Sequence, residues 1–306
     1  MTTPGIPNEF VLSTTCFGTR LQNIQDQIFA AVGMGFRRLE LGLTPTPPTM
    51  EGLEDSRRET GMCLRSLLAG CRDASGVNTA STRLGSSDPD ERERAMNSVR
   101  RHLRLAQAWN CPMVVVRGTR IDDNSARRRI DDLEARRDDG GDPDELHEEA
   151  TDIVRGVQKS GQRQIESLCR SLFTLMQESE GVKFAIEPGR ELDDLLGFEA
   201  MGWVLDDLGP QGLGYWHDVG SIHKRESMGL PPQGKWLDAY ASKTVGVHLQ
   251  DASSSDPELP IGAGQVDFKL VAEYLPKDAD RVLELHPRHG RAEILSSVRY
   301  LLDNGF

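Results

Sequence analysis

Residues 182–189 read VKFAIEPG, an apolar run that ends in the carboxylate of Glu187. Three later stretches have the same form: GLGYWHDVG (212–220) carries Asp218, TVGVHLQD (244–251) carries His248, and RVLELHP (281–287) carries Glu284. Short runs rich in Val, Ile and Leu are typical of strands buried in a parallel sheet. Packing alone explains poorly why each of these strands ends in a polar residue.

Strand-like runs also fill the first half of the chain: FVLSTT (10–15), FRRLELGL (36–43), LRSLLAG (64–70) and PMVVVRG (112–118). Helix-like segments separate them, such as 88–109, where Asp88, Pro89 and Glu91 form a helix-start signature. This alternation predicts a single-domain (β/α)8 TIM barrel across residues 1–306, with an open doubly wound sheet as the alternative. No GxGxxG follows the first strand, so the simplest argument for a dinucleotide site is missing.

One segment, residues 120–149 after the fourth strand, is dense in both charges and contains DDGGDPDE. We interpret it as an exposed insertion: a charged helix, a Gly-Gly break, and the capped start of a long helix reaching about Glu178. The alternative is a lid or a subunit-contact arm, because barrel active sites are built from these loops.

Composition narrows the class of protein. The formal net charge of −12 over 306 residues argues against a general nucleic-acid binder. No apolar run approaches the length of a membrane span, and the N-terminus lacks the form of a signal peptide. The five scattered cysteines have no zinc-site spacing, which favours reduced thiols and a cytoplasmic location. A homo-oligomer is compatible with the sequence.

Strand geometry allows the side chains of all four polar residues to face the axis of the predicted barrel. Side chains alternate between faces along a strand. In YWHD, Trp216 and Asp218 share one face and His217 takes the other, and the same test allows the remaining three polar residues to face the barrel axis. Carboxylates with one imidazole suit a divalent metal, and such a cation would offset the cost of burying them together. The sequence therefore predicts a metal site of Glu187, Asp218, His248 and Glu284.

The chain resembles the xylose isomerase-like TIM barrels, the superfamily of sugar phosphate isomerases and epimerases related to endonuclease IV. The residues that carry the resemblance are FAIEPG, HDVG, VHLQD, PIGAGQVDF (260–268), LELHP and, more loosely, FRRLELGL. It implies that the four residues bind one Mn, Mg or Co ion, sometimes Zn, and that Glu187 and Glu284 exchange the substrate proton.

The chain also departs from this pattern. The sugar epimerases carry His three residues after the strand-6 Asp, whereas here that position is Ser221, with His223 two positions later. Their arginine after the strand-7 His is not obvious here, and a second Glu after strand 5 is matched only by Glu191. A three-metal site like that of endonuclease IV is unlike this chain, which has only His102 and His147 before Glu187.

Further candidates lie at the same end of the predicted strands. Arg117 could hold a substrate oxygen or pair with a barrel carboxylate, and His286 could touch substrate or support Glu284. Arg190 and His223 sit on loops, with solvent exposure as the alternative. The residues predicted to contact substrate are Glu40, Arg117, Arg190, His223, Gln250 and His286.

Three functions follow from these residues. The first is a metal-dependent isomerase or epimerase of a sugar or polyol, acting by proton abstraction alpha to a carbonyl. The second is a lyase or dehydratase of a keto-sugar or keto-glycoside, similar to inosose dehydratase, which Ser221 favours slightly. The third is a sugar-binding barrel without turnover.

Overall fold

The computed structural model describes residues 5–72, 78–79, 82–253, 256 and 258–306. Short apolar segments form the strands β1 (Phe10–Ser13), β2 (Arg38–Leu41), β3 (Cys63–Ala69), β4 (Cys71–Arg72), β5 (Asn78–Thr79), β6 (Met113–Arg117), β7 (Lys183–Glu187), β8 (Gly214–Asp218), β9 (Thr244–Leu249) and β10 (Asp280–Leu283).

Eight of these strands close into a barrel in the order β1-β10-β9-β8-β7-β6-β3-β2. Every neighbouring pair around the ring is parallel. The predicted (β/α)8 barrel is confirmed, and each barrel strand lies where an apolar run was quoted. Strands β4 and β5 form a small antiparallel pair outside the ring that the sequence did not indicate.

Helices pack around the outside of the ring. They are α1 (Ile24–Met34), α2 (Leu53–Thr60), α3 (Pro89–Ala108), α4 (Asn124–Asp138), α5 (Pro143–Ser160), α6 (Gln162–Gln177), α7 (Phe198–Leu208), α8 (Val219–Glu226), α9 (Gln233–Tyr240), α10 (Phe268–Tyr274) and α11 (Arg291–Asp303). Asp88 caps α3 as predicted, because its carboxylate accepts from the backbone N–H groups of Asp90 and Glu91. Among the described residues, no helix is long and apolar enough to cross a membrane.

The barrel has an inner and an outer core. Residues of one strand parity fill the interior, and they are Val11, Leu68, Met113, Val115, Ala185, Trp216 and Val282. The other parity packs against the helices, so that Phe184, Ile186 and Val247 are buried on the outside of the ring. This division confirms the alternation predicted for the strands.

The charged segment after β6 forms a packed helical hairpin. Helices α4 and α5 contact each other and bury Ile130, Leu133 and Ala150. The single long helix expected to reach Glu178 is wrong, because the chain breaks at Gly161 between α5 and α6. A Cβ at Gly161 would lie 2.2 Å from Leu195 Cδ2, so close packing requires glycine there.

Helix α7 also begins later than its sequence suggested. The helical pattern from 191 to 209 predicts one helix, but residues 191–197 form an irregular connection and α7 starts at Phe198. This connection keeps Asp194 and Arg190 at the mouth of the barrel instead of on a helix.

Candidate metal centre

The four predicted metal ligands lie at the carboxyl ends of four adjacent strands. Glu187 and Asp218 end β7 and β8, His248 lies in β9, and Glu284 directly follows β10. The register sets Asp218 opposite His248 and sets Arg117, the last residue of β6, opposite Glu187. The side chains therefore converge because their strands place them at one level of the barrel.

The Glu40 carboxylate holds the Nε2 side of the His248 ring. Its Nε2 lies 3.1 Å from both carboxylate oxygens of Glu40, which in turn accepts from Ser66 Oγ at 2.7 Å. The opposite ring nitrogen, Nδ1, points at Glu187 Oε2 (3.1 Å) and Glu284 Oε2 (3.7 Å). A histidine that donates one N–H to a carboxylate and turns its other nitrogen toward acidic oxygens has the arrangement of a supported metal ligand.

Asp218 is held by one of its two oxygens. Oδ1 accepts from Gln250 Nε2 at 2.6 Å and from the Ser221 backbone N–H at 2.8 Å, which makes Asp218 the N-cap of α8. Oδ2 is buried and has no hydrogen-bond partner. Oε2 of Glu187 is also buried, and its polar neighbour is His248 Nδ1 at 3.1 Å. Buried carboxylate oxygens without a donor are costly unless a cation lies beside them.

Arg117 is the nearest cation to these ligands. Its Nε lies 2.5 Å from Glu187 Oε1, and its Nη2 lies 2.7 Å from Glu284 Oε2 and 3.6 Å from Asp218 Oδ2. The side chain is 12 % exposed. The guanidinium thus bridges carboxylates that come from three different strands.

Burial and these charges shift the pKa values of the cluster. Burial raises the pKa of Glu187 to about 7, against the pull of Arg117 and His248. For Asp218 burial acts in the same direction, but Arg117, Arg190 and His248, with a hydrogen bond to Glu187, together outweigh burial and lower the pKa. Burial also opposes a charge on His248, but Glu40, Glu187 and Glu284 raise its pKa well above the ordinary range. A bound metal would reverse this last effect, because a metal ligand must be neutral imidazole.

These residues fit a divalent ion. Ligand atoms of Glu187, Asp218 and His248 lie within 4.8 Å of one another, and those of Glu40, His248 and Glu284 form a second such group. The donors are hard oxygens with one imidazole, a set that suits Mn, Mg, Co or Zn. The buried carboxylate oxygens of Glu187 and Asp218 provide acceptors, and Oδ2 of Asp218 has no hydrogen-bond partner.

A cavity of about 520 Å³ opens beside the cluster, at the carboxyl ends of β6 and β7. Arg117, Arg190 and Ser221 are among the residues that line it. Arg190 pairs with Glu258 at 2.9 Å, while its buried Nε has no hydrogen-bond partner. The position that the resemblance assigns to a substrate-binding histidine, Ser221, therefore faces this space.

Two predicted substrate contacts have a different place in the structure. Glu40 and Gln250 are fully buried, and they bond His248 and Asp218 respectively. This geometry favours a supporting role for both residues, in place of the predicted contact with substrate. The sequence could not reveal this, because it shows which face a side chain takes and not what lies between it and the cavity.

His223 and His286, the two histidines predicted to contact substrate, lie apart from the ligand cluster. His223 is in α8, with Nδ1 3.9 Å from a Glu226 carboxylate oxygen. His286 accepts from the Arg288 backbone N–H at 3.1 Å. Strand alternation would put His286 on the same face as Glu284, but β10 ends at Leu283, so alternation does not fix where His286 points. No contact of either histidine with a predicted ligand is found among the described residues.

Sequence reasoning also missed three polar residues at the site. Ser66 supports Glu40, and Thr15 Oγ1 donates to Glu284 Oε1 at 3.4 Å. The carboxyl of Asp194 is buried at the edge of the cavity, and burial raises its pKa to about 7. Of these three residues, Ser66 stands out in the sequence, because it is a hydroxyl residue within the apolar run LRSLLAG.

Comparisons with known proteins agree with this architecture. A family model described as xylose isomerase-like TIM barrel matches residues 28–302. Among solved structures, 3-keto-D-glucoside 4-epimerase, YcjR, from E. coli has a TM-score of 0.66 at 14% identity, covering 97% of this chain and 100% of that one. D-psicose 3-epimerase from Clostridium cellulolyticum has a TM-score of 0.63 at 14% identity, covering 96% and 98%.

The IolI protein, solved with a zinc atom, has a TM-score of 0.61 at 12% identity and covers 96% of this chain and 97% of that one. At these identities the likeness concerns the fold. No protein of curated function matches the sequence.

Proposed function

The chain belongs to the xylose isomerase-like TIM barrel family, and from that premise we propose that it is a divalent-metal-dependent isomerase or epimerase of a sugar or polyol. The observation that carries the proposal is the convergence of Glu187, Asp218 and His248, whose ligand atoms lie within 4.8 Å of one another, while the buried Oδ2 of Asp218 lacks a hydrogen-bond donor. The names of structural neighbours, which include two sugar epimerases and a zinc-bound protein, support the same reaction class.

Glu187, Asp218, His248 and Glu284 would hold the ion, with Glu40 orienting the imidazole. When bound, a divalent cation polarises the carbonyl and hydroxyl oxygens of a substrate and stabilises the negative charge that develops on them. The cavity lined by Arg117 and Arg190 would bind the rest of the sugar, whose hydroxyl groups match these donors.

The proton transfer is assigned to Glu187 and Glu284. Burial raises the pKa of Glu187 to about 7 without metal, and a bound dication would lower that pKa, so that Glu187 would be ionised and able to accept the proton. Glu284 has a donor on each oxygen, Thr15 on Oε1 and Arg117 on Oε2. One carboxylate removes the proton alpha to the carbonyl, and the other returns a proton to the same carbon or its neighbour.

Deuterium exchange tests this proposal. Free ketohexoses and 3-keto-glucosides are incubated with metal-loaded protein in deuterated water, and the products are read by NMR and mass spectrometry. Deuterium at the carbon alpha to the carbonyl, with the sugar otherwise intact, supports isomerisation or epimerisation. An unsaturated product or a cleaved glycoside supports the lyase, which the Ser221 departure favours.

Glu284→Gln and Glu187→Gln should each lower the exchange rate by about 10²–10⁴-fold. Glu178→Gln is the matched control, because Glu178 makes a surface ion pair with Arg100 far from the cavity lining. Full exchange in either site variant would contradict the assigned proton transfer.

A further inference from the structure

Arg117 contacts all four of the proposed metal ligands. Besides the carboxylates of Glu187, Asp218 and Glu284, its Nη2 lies 3.4 Å from His248 Nδ1. The arginine therefore uses the same oxygens and the same ring nitrogen that a metal ion would use.

The two cations compete for this cluster. A ligand atom in such a site lies about 2.0–2.3 Å from the ion, and Glu284 Oε2 and Glu187 Oε1 lie within 2.7 Å of guanidinium nitrogens. A dication held by these ligands would repel the guanidinium across a buried, weakly screened distance. The ion therefore favours a position of the guanidinium farther from the ligands.

The charge of the cluster favours the divalent ion over the guanidinium. Four carboxyl groups are buried in the cluster, those of Glu40, Glu187, Asp218 and Glu284. Arg117 brings one positive charge to the three of them that it contacts, and a dication in its place would bring two.

Arg117 also borders a space into which its side chain could rotate. Arg117 itself lines the 520 Å³ cavity, and so do Gly118 and Gly189, beside which the Asp194 carboxyl lies. A rotation of its flexible side chain away from the ligands would put the guanidinium into the space assigned to substrate. There its fork of N–H donors would meet sugar oxygens.

We propose that Arg117 is the internal counter-cation of the metal centre: it holds the ligand carboxylates together, yields to the divalent ion, and then faces the substrate. This inference rests on the proposed metal-dependent function. It assigns to one residue a structural role before metal binds and a substrate-contacting role afterwards.

Metal affinity and metal-free stability test the inference together. Chelator-treated wild-type protein, Arg117→Gln, Arg117→Lys and the control Arg120→Gln are titrated with Mn²⁺ by calorimetry, and their Tm values are measured with and without the ion. Arg120 lines the same cavity but pairs with Asp193 (3.1 Å), so its loss removes an equal charge without freeing a proposed ligand.

Arg117→Gln should bind Mn²⁺ at least about tenfold more tightly than wild type while its metal-free Tm falls. Arg117→Lys should lie between the two, and Arg120→Gln should match wild type. A residue that merely stabilises the fold would lower affinity and Tm together, so the opposite signs identify a displaced counter-cation.

Equal or weaker Mn²⁺ binding by Arg117→Gln, with wild type binding normally, would overturn the inference and leave the proposed function intact. Absence of binding in every variant, wild type included, would overturn both. If Arg117→Gln folds only with Mn²⁺, that result supports the inference, and Arg117→Lys then supplies the affinity comparison. Wild-type affinity in the lysine variant would in that case contradict the inference.

Discussion

The Nε2 atom of His248 lies 3.1 Å from both oxygens of Glu40, although 208 residues separate the two in the chain. This contact fixes the plane of the imidazole and turns Nδ1 toward Glu187 and Glu284. The pair crosses the barrel interior from β2 to β9, two strands that are not neighbours in the ring. The orientation of His248, a proposed metal ligand, therefore depends on the closure of the barrel.

Loss of the Glu40 carboxylate should weaken metal binding without direct loss of a ligand. Glu40→Ala is expected to reduce Mn²⁺ affinity by about 10–100-fold, the usual effect of removing the group that orients a ligating histidine. Glu40→Gln, which can still accept from Nε2, should lose less. Calorimetric titration measures both, and an unchanged affinity in the alanine variant would refute the orienting role.

The inner face of the barrel could be predicted from strand parity alone. Trp216 lies inside the ring, 5.2 Å from the His248 ring, while His217 lies outside and bonds Gln233. Such alternation is a local property of an extended chain, so it can be read from consecutive residues. Alternation gives no orientation for His286, because β10 ends before this residue, at Leu283.

The packing at Gly246 should be sensitive to a single methyl group. A Cβ at Gly246 would lie 2.2–2.6 Å from three atoms of the Trp216 ring, which is buried and cannot move aside. Gly246→Ala is expected to lower the free energy of unfolding by about 1–3 kcal/mol and to weaken Mn²⁺ binding through the adjacent His248.

Gly209→Ala is the control for that change. Its added methyl would meet no atom within 4 Å, and its backbone is already helical. Urea denaturation compares the two variants, and equal midpoints would show that the barrel interior tolerates the extra volume.

Asp194 should make stability depend on pH. Burial raises the pKa of its carboxyl from 3.8 to about 7. Because folding raises this pKa, the stabilising contribution is complete below pH 3.8 and is lost as the pH rises to about 7. Asp194→Asn cannot ionise, so its stability should gain on wild type across that window.

Urea midpoints between pH 5 and 8 measure this gain. Asp206→Asn is the control, because that carboxylate lies on the surface and pairs with Lys243. A constant difference between Asp194→Asn and wild type over this range would contradict the assignment.

The hairpin of α4 and α5 should contribute to stability like any packed element. Leu133 is fully buried within it, so Leu133→Ala should cost about 2–5 kcal/mol of unfolding free energy. A cost near zero in urea denaturation would mean that the hairpin unfolds independently of the barrel.

The sequence indicated the proposed ligands but not the partners of their side chains. The ligands stand out because each is a polar residue at the end of an apolar run. Glu40 and Arg117 were noticed for the same reason, yet their contacts depend on distances across the barrel that spacing does not give. Gln250 looked like a substrate contact but hydrogen-bonds Asp218 at 2.6 Å.

Metal stoichiometry tests the central claim most directly. Wild-type protein, stripped with chelator and dialysed against Mn²⁺, Co²⁺, Mg²⁺ or Zn²⁺, is analysed for bound metal beside His248→Ala and Asp218→Ala. The proposal predicts about one ion per chain in the wild type, from the single set of ligands, and clear loss of that ion in both variants. Wild-type protein that retains no stoichiometric ion, or variants that bind as well as wild type, would contradict it.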